Sequence, residues 1–429
     1  MNVGDSLDAP QVDMPITPVP VDCMPSVLAA GRVAPVVTIN YHGGTAWDVC
    51  DINLARTALT DPRLSKDIEL TPDWMRIPGD ILGSLPSAEV ARVMLMSDGP
   101  EHARIRQAHT RIFTPRNTEK WAIRLAPLAA ELLDELTGEA AEGNAEVNLV
   151  ERYTDLIPLG FLCEMLGLPP EMHAELKRVT NAILYSPDQA MRAGGVGALA
   201  GAIVGWASDP SPLHEGVITG LLKDVQNDVI TMDEVVTWTL SLVMAGYETT
   251  ASLIAATILE ALRKPAGQRP KSEAEINTWI EETLRIHPPA THATWRFATE
   301  DLDIGGYFIP KGAPVQINIA AVNRCPHGEL ADDFDPSTSL GHLSFGLGHH
   351  YCLGAALARV EAKIALSTFL SRFPDARLSD TTEVAWQSEW MNRRIRVLPV
   401  VLAGPDAAQP DHGRRDRQTD AVAEAGGTQ

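Results

Sequence analysis

The sequence predicts a mainly α protein with a minor β portion. Three observations lead there. Apolar residues recur at helical spacing from about residue 98 to 285 and again from Leu353 to Phe373, and the period falls to two only between Trp295 and Ile319. The chain has 429 residues, 45% of them hydrophobic and 21% charged, an ordinary globular composition. A chain of this length buries enough surface to enclose a sizeable ligand.

Residues 1–28 are acidic and proline-rich and read as a flexible leader, without the basic start or apolar run of a signal peptide. Thr38–Tyr41 and Ala46–Val49 flank His42-Gly43-Gly44, a hairpin signal. Asp51 starts a helix through Leu59, which Asp61-Pro62 stops. A helix opens at Asp98, with Pro100 in its first turn, and extends through residue 116. Further helical segments cover 120–139, 149–166, 170–184 and 187–207, the last weakened by its glycines.

Met232–Lys264 reads as one long helix ending before Pro265, and Ser272–His287 as another ending at Pro288-Pro289. Turns at Gly305-Gly306 and Lys311-Gly312 divide a small sheet. An irregular stretch, 323–343, leads into a glycine-rich loop and the helix Leu353–Phe373. One catalytic domain therefore spans 29–403, and 404–429, poor in apolar anchors, forms a disordered tail.

The net charge of −21 argues against nucleic acid and against an anionic membrane surface, both of which need basic residues. The apolar run Leu240–Leu262 contains Gly246, Glu248, Thr249 and Thr250 and lacks basic flanks, so it reads as a buried core helix and not a membrane span. The five cysteines, Cys23, Cys50, Cys163, Cys325 and Cys352, form no CxxC pair. A disulfide framework or structural zinc is not indicated, and a reducing cytoplasm fits.

Phe345–Gly354, FGLGHHYCLG, carries the most chemistry. Cys352 precedes a helix with apolar residues at Leu353, Leu357, Val360 and Ile364. The positive end of the helix dipole and its free N–H groups favour thiolate, the form that binds metal. Gly346, Gly348 and Gly354 clear space for a flat group. These features point to a reactive or metal-bound thiolate, in place of the buried structural cysteine that is the default for a lone Cys. They do not by themselves name the metal.

The string Phe345–Arg359, with its Phe-x-x-Gly-x-x-x-Cys-x-Gly pattern, resembles the cysteine-ligand loop of the cytochrome P450 superfamily, of the soluble bacterial type. The resemblance spans about residues 35–400 and implies a helix-rich triangular prism with haem b between the long central helix and the cysteine-loop helix. It makes Cys352 the axial thiolate and His350 a propionate contact, with Phe345 and Gly346 in the loop beneath the haem. His102 and Arg106, four apart on one helix face, and Arg296 match the family's other propionate ligands. Ala245-Gly246-Tyr247-Glu248-Thr249-Thr250 resembles its oxygen-activation groove, where Glu248 and Thr249 deliver protons and Tyr247 shapes the pocket. Glu282 and Arg285 match its buried structural pair. Two positions depart from the pattern: Ser337 follows Phe334-Asp335-Pro336 where an Arg is common, and Cys325 replaces an acidic residue.

The resemblance implies a monooxygenase that uses O2 and two electrons from separate proteins, a ferredoxin and its reductase, to oxidise a hydrophobic secondary metabolite; a monomer is expected. Oxidative aromatic coupling or ring formation would use the same site. A non-catalytic haem sensor would not need Glu248-Thr249, and a peroxide-driven enzyme usually replaces that pair. A cysteine hydrolase lacks a triad here beyond His349 or His350. Arg104, Arg111, Arg116 and Arg359 form either a ferredoxin patch or a scattered solvated face. Pocket walls are expected from 66–96, 180–200, 242–250, 290–296 and 386–391, including Ala290, Thr291, Ala293, Trp386 and Met391.

Overall fold

The computed structural model describes residues 7–12, 22, 24–76, 94–141, 146–186, 188–324, 331–338, 340–388 and 391–402. Its helices are α1 Met24–Val33, α2 Ile52–Thr60, α3 Gly99–Thr110, α4 Pro115–Ala141, α5 Leu156–Leu166, α6 Pro170–Tyr185, α7 Gln189–Ser208, α8 Val217–Gln226, α9 Met232–Gly246, α10 Glu248–Arg263, α11 Glu273–Ile286, α12 Ile319–Arg324 and α13 Ala355–Arg372. The strands are β1 Gln11–Val12, β2 Val36–Tyr41, β3 Gly44–Val49, β4 Leu64–Ser65, β5 Glu146–Asn148, β6 Ala293–Ala298, β7 Leu302–Ile304, β8 Tyr307–Ile309, β9 Pro314–Ile317, β10 Arg377–Leu378, β11 Ala385–Ser388, β12 Arg393–Val397 and β13 Pro399–Val401. The mainly α expectation holds.

The largest sheet runs β1-β2-β3-β9-β6-β4. The β2–β3 hairpin turns at His42 and Gly43, both at positive φ (48° and 87°), which fits a tight two-residue connection. Asp51 caps α2 by accepting the N–H groups of Asn53 and Leu54. Thr231 and Ser272 begin α9 and α11 with capping boxes closed by Glu234 and Glu275.

Three expectations change, and a fourth holds. Part of the leader belongs to the fold: β1 pairs in parallel with β2, and α1 buries Met24, Val27 and Ala30, spaced by three. The helix at 98–116 ends at Thr110, because Pro115 begins a new helix. The expected helix at 187–207 is present as α7, continuous through its glycines. The long central helix is interrupted at Tyr247, between α9 and α10. There Thr249 Oγ1 donates to the Ala245 carbonyl at 2.7 Å, the back-bonding that bends helices. The expected tail, 404–429, lies outside the described residues, as do Cys23 and Cys325.

Two stretches, Ala190–Ser208 and Met232–Arg263, are long and apolar enough to cross a membrane, with 28% and 72% of their apolar windows buried in the protein. The second is the core expected from the sequence. α10 is buried along nearly its whole length and packs on α13, α11 and β12.

Candidate active site

The cysteine loop is built by two positive-φ glycines, Gly346 (69°) and Gly348 (75°), a backbone region that side chains rarely enter. The loop closes on itself through Cys352 N–H to the Phe345 carbonyl, 2.9 Å. The Arg359 guanidinium lies 4.5 Å over the Phe345 ring and forks onto Glu281 at 2.6 and 2.9 Å. The N–H groups of Gly354 and Ala355 donate towards the Cys352 sulfur.

The helix-end N–H groups act to lower the thiol's pKa as the sequence predicts, but they do not prevail. Cys352 retains exposed surface, yet protein packs densely around its sulfur, and burial pushes its thiol up against the N–H donors and the charges of Arg106 and Arg359. Desolvation outweighs a partial dipole charge here. The thiolate is therefore to be secured by a metal's positive charge.

Beneath the loop, Glu282 and Arg285 form a buried bidentate pair at 2.8 and 2.7 Å. Arg285 also donates to the carbonyls of Asn323, Ala331 and Asp333, and Glu282 accepts the Asp335 N–H. These bonds fasten the irregular stretch that precedes the loop. Without an Arg at 337, Ser337 instead closes a local turn onto Asp335, donating from both its N–H and its hydroxyl.

The expected propionate ligands come together. The His102 and His350 rings lie 4.1 Å apart. Arg106 Nη2 donates to the Tyr351 carbonyl at 3.0 Å, and Arg296 is buried with one bond to Thr294 O. Two members were not legible in the sequence. Lys66 is buried beside Thr294 and Leu95 O. Asp98, expected only to open a helix, makes no cap; it accepts from His350 Nε2 at 3.0 Å, from Ser65 Oγ at 2.7 Å and from the Lys66 N–H. An Asp before a helix signals a cap, so the sequence held no sign of this role.

Burial pushes His102 and His350 down to about 4 and Arg296 down to about 10, and it drives Lys66 well below its usual value. Asp98 is held below the usual carboxylate range by His350, Ser65 and Lys66 in spite of burial. Among the described residues the Asp98 carboxylate thus faces the buried Lys66 and Arg296, and the buried His102 Nε2 has no hydrogen-bond partner.

On the other side, Ala245 is exposed in mid-helix while Glu248 is buried. Asn392 Nδ2 donates to Glu248 Oε2 at 3.3 Å. Tyr247 does not shape the pocket: it is 1% exposed, two positions from both Ala245 and Thr249, and packs in the main core. Burial raises its phenol, with the Asp155 and Glu248 carboxylates adding to the effect. Of the expected pocket walls, 77–93, 187 and 389–390 lie outside the described residues. Trp386 packs on Arg393 (3.5 Å) and on the His287 ring (5.2 Å), joining its hairpin to α11.

Comparison with known proteins decides what this architecture is. The family model Cytochrome P450 matches residues 275–385. "Cytochrome P-450 monooxygenase DoxA" from a Streptomyces species is 33% identical over 402 residues, covering 88% of this chain and 94% of the relative. The chain is a cytochrome P450. The 6-deoxyerythronolide B hydroxylase of Saccharopolyspora erythraea is also 33% identical, over 87% of the P450 described here and 94% of the relative. The crystal structure of GfsF superposes with a TM-score of 0.80 at 30% identity, covering 92% of this P450 and all of that chain (100%).

The P450 is accordingly a haem-thiolate monooxygenase; its cofactor is haem b, and it requires O2, redox partners and a small-molecule substrate. Its residues fit the cofactor. A thiol with N–H donors suits the iron, and a cluster holding the buried Arg296 and an unpartnered His102 Nε2 suits the two carboxylates of haem b.

Proposed function

We propose that this P450 hydroxylates a neutral, hydrophobic secondary metabolite at an iron held by Cys352. The basic cluster beside Cys352, with one carboxylate among the described residues and an unpartnered His102 Nε2, is the observation that carries the assignment of residues. His102, Arg106, Arg296 and His350 bind the haem carboxylates, and Phe345 and Gly346 shape the loop under the ring. Haem b supplies the activation of dioxygen, which a thiolate ligand favours. Glu248 and Thr249 move protons into the groove at the helix break. Glu282 and Arg285 take no part in the chemistry and hold the loop.

The substrate class rests on the mildly apolar walls at Ala290, Thr291 and Ala293, and on relatives named as hydroxylases of 6-deoxyerythronolide B and vitamin D(3). The fold runs as one catalytic unit to about residue 402. We read it as a monomer reduced by a separate ferredoxin and its reductase. Cys50 and Cys163 are buried cysteines outside any disulfide among the described residues, which supports a reducing, cytoplasmic setting.

The reduced, carbon monoxide-treated protein is expected to show the red-shifted Soret band of a thiolate-bound haem, and Cys352→Ser to lose it. Retention of that band in the variant would refute the ligand assignment. A panel of neutral polycyclic and macrocyclic metabolites then identifies the substrate by the Soret shift that follows displacement of water.

A further inference from the structure

Among the described residues, a side-chain hydrogen bond joins the helix break to the substrate-lining segment, Asn392 Nδ2 to Glu248 Oε2 at 3.3 Å. An Asn can reach a carboxylate only through its amide N–H. The amide is held in place by its own backbone. Thr291 N–H donates to the Met391 carbonyl at 2.8 Å, Arg393 N–H donates to the Pro289 carbonyl at 2.9 Å, and Asn392 itself bridges Ala290. Arg393 is clamped by Asp22 at 2.9 and 2.7 Å. Asn392 therefore follows any displacement of 289–291, the stretch expected to touch substrate.

The other end of the bond lies at the start of α10. Thr249 has committed its one hydroxyl proton to Ala245 O, so its oxygen can only accept from the groove. A proton for the groove must come through a neighbour, and the neighbouring acid is drawn towards the hairpin.

We infer that Asn392 is a positioning residue for Glu248. It holds the carboxylate on the hairpin side of the helix break, so that proton supply depends on occupancy of the 289–293 wall. The inference rests on the reading of Glu248 as the proton-moving acid.

Two measurements on the haem-loaded protein test it. The first is a double-mutant cycle on the thermal midpoint with Glu248→Ala and Asn392→Ala. A working contact makes the two changes non-additive by about 1–2 °C. The second is the share of consumed O2 released as hydrogen peroxide, with electrons from a surrogate ferredoxin and reductase and testosterone as the probe, in H2O and in D2O. Asn392→Ala is expected to raise that share about threefold or more and to change the solvent isotope effect, with haem content and Soret position retained.

Asn392→Asp keeps the shape and adds a like charge. It is expected to move the pH profile of the peroxide share upward by about one unit, and it serves if the alanine variant loses haem. Additive midpoints, or an unchanged peroxide share and isotope effect, overturn the inference. Glu248→Gln is the separate control: an unchanged peroxide share there overturns the role of the acid itself, and leaves the contact to be judged by the thermal cycle.

Discussion

The two charge clusters around the cysteine loop are built on opposite terms. Below it, Arg285 has a bidentate carboxylate and three carbonyls, and Glu282 also accepts a backbone N–H. Beside it, Lys66 and Arg296 share one carboxylate, and His102 Nε2 has no partner among the described residues. Both clusters contain buried arginines, Arg285 and Arg296. A satisfied buried charge supports the fold, whereas an undercompensated one is poised for a ligand, because desolvation is offset only when an opposite charge arrives.

The sharpest way to break this contrast is to remove one arginine from each cluster. Arg285→Leu leaves Glu282 buried and unpaired, and should lower folding stability by about 3–5 kcal/mol, visible in denaturant unfolding of both the apo and the haem-loaded protein. Arg296→Leu should leave apo stability equal or higher, because it deletes an undercompensated buried cation, while haem retention falls about 10–100-fold, the scale of losses from weakening a ligand's support. Equal stability losses in the two apo variants would erase the distinction.

A pH titration sharpens it further. His102 and His350 are depressed to about 4 from an ordinary 6.5. The unfolded chain therefore binds these protons first, and the stability they contribute is present above pH 6.5 and lost as pH falls towards 4. The thermal midpoint should drop across that window, and His102→Gln should flatten the drop. A profile identical to that of the parent protein would remove His102 as a cause.

The smallest effect concerns the surface. Arg104 is paired with Glu101 and Glu234, and Arg359 with Glu281, whereas Arg111 and Arg116 are exposed and make no ion pair among the described residues. Reversing Arg111 and Arg116 to Glu should slow ferredoxin-driven reduction several-fold at low salt, and less at high salt. Stopped-flow rates that do not change with either would assign these residues to a solvated face.

Much of the site was legible because its chemistry is packed into short strings. The glycines around Cys352, the spacing of His102 and Arg106, and the pair Glu282–Arg285 each lie within one turn or one loop. Other features were not legible, because their partners are distant in sequence. Asp98 meets His350 across 252 positions, and Asn392 meets Glu248 across 144. Tyr247 read as a pocket residue until the helix break turned it into the core.

By itself the sequence determined the helical class, the capped starts of α2, α9 and α11, and the cysteine loop, since each follows from local backbone preference and residue spacing. Only the tertiary structure decided which buried charges are satisfied, where the central helix breaks, and that burial outweighs the helix end at Cys352. Those outcomes depend on desolvation and on partners brought from distant segments, and neither is encoded at any single position.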